Sequence, residues 1–171
     1  GSTRERTHNT VARLINETAL RPAAHLTCVD ATSGDVDEDG LPDIVLAEGD
    51  TLTLLLNAGG GVFEPARHFA LQAYSATSPV APSLAGVVLA DVDGDTHLDA
   101  ITANGKASTV SVLLGDGAGG FDFAAAFVPT GTLRGLAAGD MDGNGFPDLV
   151  VGSASPSQGK LGVLLNRAAG P

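Results

Sequence analysis

Three nine-residue acidic windows recur along the chain: DVDEDGLPD from Asp35, DVDGDTHLD from Asp91 and DMDGNGFPD from Asp140, with starts 56 and 49 residues apart. A repeat of this length confines a chain to stacked supersecondary units, because one unit cannot bury its apolar face alone. Each window runs directly into a short apolar stretch, DIVLAE, DAITAN or DLVVGS, and a second such stretch follows: TLTLLLNAGGGVF, TVSVLLGDGAGGF or LGVLLNRAAG. Val, Leu and Ile over five or six positions, bounded by Gly and Asn, predict buried strands rather than helices.

A more polar segment comes after the glycine turns, FEPARHFALQ in the first copy and FDFAAAFVP in the second. Ahead of the later two windows lie LAGVVLAD and LRGLAAGD, rich in small residues as an inner strand beside a crowded axis would be. The unit therefore reads strand, acidic loop, strand, turn, strand, turn, strand. This predicts an all-β chain of four-stranded antiparallel β-propeller blades.

The expected organisation is a tag or linker over 1–10, then a single repeat domain over 11–171. Within it come a partial blade at 11–28, blades at 29–79 and 80–130, and a partial blade at 131–171. The segment VARLINETALRPAAHL echoes the third and fourth strands of a unit, with Asn16 answering Asn57, and LGVLLNRAAGP stops after a third strand. Partial units leave strand edges and one sheet face bare. The array is thus expected to belong to a larger ring or, as favoured here, to be completed by a second copy in a homo-oligomer, most simply a dimer.

The windows hold twelve of the 20 acidic residues; outside them, eight acids face nine basic residues. A net charge of −11 excludes a phosphate backbone as partner, since nucleic-acid binders present a basic face. No apolar run approaches the ~18 residues of a membrane-spanning helix, and no signal peptide is visible. The single cysteine, Cys28, fits neither a disulfide nor a thiolate metal site and reads as a small buried residue on a strand.

Two carboxylates about 4 Å apart repel by about 1 kcal/mol in water and about 4 at an effective dielectric of 20. Loops as acidic as these are therefore expected to close around a cation, against the plainer reading of Asp, Asn and Gly as ordinary turns that cap backbone amides. Written D-x-D-x-[DN]-G-x-x-D, the window aims side-chain oxygens inward from its first, third and fifth positions, a backbone carbonyl from the seventh, and a closing carboxylate from the ninth. The expected ligands are Asp35, Asp37, Asp39, Leu41 and Asp43; Asp91, Asp93, Asp95, His97 and Asp99; and Asp140, Asp142, Asn144, Phe146 and Asp148, with Leu41, His97 and Phe146 giving carbonyls.

Hard oxygen donors on a flexible loop favour Ca²⁺ over zinc, copper or magnesium, about three ions per chain. An EF-hand needs Glu at its twelfth position and flanking helices, but Leu46, Thr102 and Val151 stand there on β-type runs. Thr96 replaces the Gly40 and Gly145 of the other loops, which strains the second loop if that position needs positive φ. The third loop, with Asn144, carries one charge fewer. The first site is accordingly expected to bind tightest.

The windows, followed by DIVLA or DLVVG and by VLLGDGAGGF, resemble the FG-GAP/VCBS repeats of integrin α-subunit heads and many bacterial secreted proteins. The resemblance runs from about Val11 to the end. It implies a calcium-binding β-propeller, often seven-bladed, with the ion between the first two strands of each blade. It also implies a role in adhesion, ligand binding or scaffolding outside the cell.

Enzyme signatures are weak: GSASPS at 152–157 lacks the closing glycine of a serine elbow, and GKAST at 105–109 lacks the earlier glycine of a P-loop. His97 is expected to turn its ring to solvent. The leading expectation is a non-enzymatic, calcium-stabilised module that binds an unidentified protein or glycan. A lectin, the second reading, would want stacking aromatics, and the chain has no Trp and one Tyr. An accessory domain of a secreted enzyme is the third.

Overall fold

The computed structural model describes residues 28–71, 83–127, 129, 131–154 and 159–167. The partial blade expected over 11–28 lies outside these residues except for Cys28, as do residues 72–82 at the expected boundary of the two full blades. Strands β1 (Cys28–Gly34), β2 (Asp43–Glu48), β3 (Thr51–Leu55) and β4 (Arg67–Ala70) form one sheet in that order, every pair antiparallel. A second sheet repeats the pattern with β5 (Leu84–Ala90), β6 (Asp99–Asn104), β7 (Thr109–Gly115) and β8 (Phe121–Phe127). The third has β9 (Thr132–Gly139), β10 (Asp148–Ala154) and β11 (Lys160–Leu164). No helix occurs among the described residues, so none is long and apolar enough to cross a membrane.

The three sheets are propeller blades packed face to face, and burial along each strand follows from its place in the stack. In β6 every residue of DAITAN is buried, because the middle blade is covered on both sides. β2 alternates buried and half-buried residues, since only one face of the first blade meets a neighbour. Between the first two blades, Val45, Ala47, Leu52 and Leu54 meet Val87, Ala100 and Leu113. Between the second and third, Ile101, Val110 and Val112 meet Leu133, Leu149 and Val151. Fully burying a Leu or Val side chain is worth about 1.5–3 kcal/mol, so these seams dominate the stability of the stack.

Cys28 corrects the sequence expectation: it lies on a strand, but exposed. It opens the inner strand of the first blade, whose outer side has no neighbouring blade among the described residues. At the other end, β11 pairs only with β10 among the described residues, and an apolar groove of about 570 Å³ runs beside it, lined by residues that include Phe127, Leu149, Val163 and Leu165. Phe127 pairs with Val110 as Phe69 pairs with Leu52. The ring of Phe69 is met edge-on by Phe121, centroids 5.3 Å apart, whereas Phe127 stays about half exposed.

Candidate metal centres

Each acidic window connects the first two strands of its blade, and its ninth residue opens the second strand. That residue, Asp43, Asp99 or Asp148, is fully buried and uses both carboxylate oxygens. One oxygen accepts the amide at the window's second position: Val36 at 2.8 Å, Val92 at 2.7 Å and Met141 at 2.8 Å. The other accepts an amide just past or at the end of the third strand: Asn57 at 2.8 Å, Gly115 at 2.9 Å and Asn166 at 2.7 Å. The ninth carboxylate thus rivets three strands together, a role not anticipated from the sequence. The donors are main-chain amides, supplied by Asn57, Gly115 and Asn166 alike, so no residue type marks them in the sequence.

The first carboxylate coils the loop by accepting amides from later positions. Asp91 takes those of Gly94 and Thr96, at 2.7 and 3.0 Å, and Asp140 those of Gly143 and Gly145, at 2.7 and 2.9 Å. The fifth position closes a turn onto the seventh amide, in Asp39 to Leu41, Asp95 to His97 and Asn144 to Phe146. This coiling draws oxygens of Asp35, Asp37 and Asp39 to within 4.8 Å of one another. The same holds for Asp91, Asp93 and Asp99, and for Asp140, Asp142 and Asp148. The expected side-chain donors thus converge in each loop, except that Asp43 and Asp95 fall outside the carboxylate triads.

The first loop offers a test of whether these residues suit a cation. Oδ1 of Asp35 and Oδ1 of Asp37 are buried and have no hydrogen-bond partner. A buried, unpaired carboxylate oxygen is costly unless a positive charge meets it. Burial, reinforced by the charges of Asp43 and Asp39, pushes the Asp37 carboxyl above its usual range. Burial likewise raises Asp99, while the Gly115 and Val92 amides draw it back; the Gly145 and Gly143 amides hold Asp140 below its ordinary value. An all-oxygen set with orphaned inward-facing atoms fits a hard divalent cation.

Two positions in every loop are left-handed. The sixth has φ of 88° at Gly40, 80° at Thr96 and 89° at Gly145, which meets the condition on which the expected strain at Thr96 depended. The fourth is left-handed too, at Glu38 (60°), Gly94 (84°) and Gly143 (79°), which the sequence reading missed. The first and second loops therefore each place one side chain in a strained conformation, and only the third avoids it. Strain accordingly does not rank the first site above the second.

Neighbouring loops touch through these same positions. Nδ1 of His97 lies 2.6 Å from Oε1 of Glu38, so its ring, partly exposed as expected, also pairs across the blade seam, which was not expected. The hydrogen bond to Glu38 is the main reason that His97 holds its proton above the ordinary imidazole value. One blade on, the Phe146 ring lies over Gly94, where an added Cβ would come within 2.8 Å of it. The seventh position of each later loop thus rests on the fourth position of the loop before it. Asn166 adds a bond from Nδ2 to the Val92 carbonyl at 2.7 Å.

A family model described as an FG-GAP-like repeat matches residues 35–102 and again 91–151. Both matches begin at the first residue of an acidic window. Among curated proteins, none matches the chain.

Proposed function

The chain belongs to the FG-GAP-like repeat family, and from that premise we propose that it is a non-enzymatic interaction module outside the cell, its blades held by calcium and its copies self-associating. The observation that carries the calcium reading is the pair of buried, unpartnered oxygens on Asp35 and Asp37 within a cluster of carboxylates. The side chains of Asp35, Asp37, Asp39 and Asp43 would hold one ion, with the Leu41 carbonyl. Those of Asp91, Asp93, Asp95 and Asp99, with the His97 carbonyl, would hold a second, and Asp140, Asp142, Asn144 and Asp148, with that of Phe146, a third.

Calcium, when bound, supplies the positive charge that quenches repulsion within each window and brings the formal charge from −11 to about −5. The residues do the rest. The first and fifth side chains pre-coil the loop through backbone amides, and the ninth ties it to the second and third strands. Ion affinity is therefore coupled to hairpin formation and so to folding. Millimolar calcium outside cells suits loops of this kind, which supports adhesion or scaffolding there.

Calorimetric titration of calcium into EDTA-treated protein tests the reading, with thermal melting in both conditions. About three ions per chain and a melting temperature that rises with calcium are expected, since a ligand at 100 times its Kd stabilises the fold by about 2.7 kcal/mol. No binding heat together with a melting temperature indifferent to EDTA would refute it.

A further inference from the structure

Corresponding positions on the three blades have different fates. Leu52 and Leu54 of the first blade are 0% exposed, and Val110 and Val112 of the second 0% and 7%, because each pair faces the following blade. In strand register the same positions of the third blade are Leu161 and Val163, opposite Gly152 and Val150. These two are 74% and 51% exposed. The third blade thus carries the three-stranded part of an inter-blade face with nothing on it among the described residues.

The face that docks against such a surface is also fixed by the repeat. In the first seam it is built on Val87 and Leu89 of the inner strand and Ala100 of the second. In the next seam it is built on Leu136, Ala138 and Leu149. The first blade has its own copy. Ala31 and Ser33 are exposed, and their register partners Leu46 and Ile44 are half-buried.

A further part of that face is polar. Thr53 donates to Oε2 of Glu48 at 2.7 Å and lies 3.0 Å from Nδ1 of His68. In the second blade the matching grid positions are Asn104 and Ser111, linked at 2.8 Å and buried in the stack. A hydrogen-bonded polar group at this position is therefore compatible with coverage by a blade, with Oε1 of Glu48, buried and unpartnered, as its one unsatisfied atom.

Resting on the self-association proposed above, we infer that a second copy of this chain docks head to tail, the Leu161 and Val163 face of one copy against the Ala31 and Ile44 face of the other. The contact is heterologous, one face meeting a different face, and it reproduces the two seams already inside the chain. Two copies related in this way close a ring if both junctions form.

Sedimentation in excess calcium tests the assignment with two variants at exposed positions, Val163→Arg and Ala31→Arg, each checked for an unchanged circular dichroism spectrum. The wild type is expected at twice 17.0 kDa or more, and each variant alone at 17.0 kDa. An equimolar mixture of the variants should recover a two-chain species, because one intact junction remains between them. A monomeric wild type would overturn self-association itself. An associated wild type whose Val163→Arg variant stays associated would leave self-association standing and overturn the surfaces named here. Association of Ala31→Arg alone would do the same, by showing that third blades meet each other.

Discussion

Replacing Asp99 with alanine separates the two roles assigned to the ninth window position. The Asp99 carboxylate accepts the Val92 amide at 2.7 Å and the Gly115 amide at 2.9 Å from a fully buried site. Hydrogen bonds to a charged group contribute about 1.5–3 kcal/mol each, so alanine should cost about 3–6 kcal/mol. The same change removes one charge from a cluster whose other oxygens, on Asp91 and Asp93, lie within 4.8 Å. Asp93 is exposed and Asp91 half-buried, so water screens both pairs and the relief is about 1 kcal/mol per pair, or about 2 in total.

Without calcium the net loss is then about 1–4 kcal/mol. With calcium bound, repulsion is already quenched, so the relief vanishes and a ligand is lost as well. At about 2–4 °C per kcal/mol for a chain of this size, the melting temperature should fall by about 5–10 °C in EDTA for a mid-range loss, and by at least twice as much in saturating calcium. Scanning calorimetry of both proteins in both conditions measures this. Equal drops in the two conditions would refute the metal role, and a drop under about 2 °C in EDTA would refute the rivet.

Thr96→Gly should stabilise the protein by up to about 1 kcal/mol, since relieving left-handed strain of about 1–2 kcal/mol outweighs the added backbone entropy of glycine; denaturant titration in EDTA measures it, and a loss of stability would contradict the strain. Asp116 is held below its ordinary value of 3.8 by the Gly120 and Ala118 amides. Its contribution is therefore present above that value and lost as pH falls through the lower folded value. The stability gap between wild type and Asp116→Asn should accordingly narrow in acid, and denaturant titrations giving a gap constant with pH would contradict this. Leu54→Ala removes a fully buried side chain from the first seam and should cost about 2–5 kcal/mol by denaturant titration, and a cost under 1 would mean that the seam repacks.

The strands were legible because their apolar runs are short and bounded by turns, and the acidic loops because alternate carboxylates recur in the same phase. Less legible was anything set by a partner blade. Glu38 looked like one more acid in an acidic loop, yet it occupies a left-handed position and meets His97 from 59 residues away. Asp43, Asp99 and Asp148 looked like ligands alone, because amides at the ends of distant strands leave no mark on the window itself. Cys28 was misread because burial on a strand depends on whether the next sheet is present. Spacing encodes the unit, whereas its contacts with neighbours are written one residue at a time.

The two seams are not fastened alike. Across the first, the Arg67 guanidinium reaches the Ala118 and Gly119 carbonyls, at 3.2 and 3.0 Å, and Oδ2 of Asp30 accepts the Val87 amide at 3.1 Å. The inner-strand position one blade later is Gly86, which has no side chain to reach across the second seam, so that the Asn166 bond to the Val92 carbonyl at 2.7 Å stands there against these three. Under a mechanical load that pulls the ends apart, the chain should therefore peel from the third blade, leaving the first two clasped as the last unit to yield.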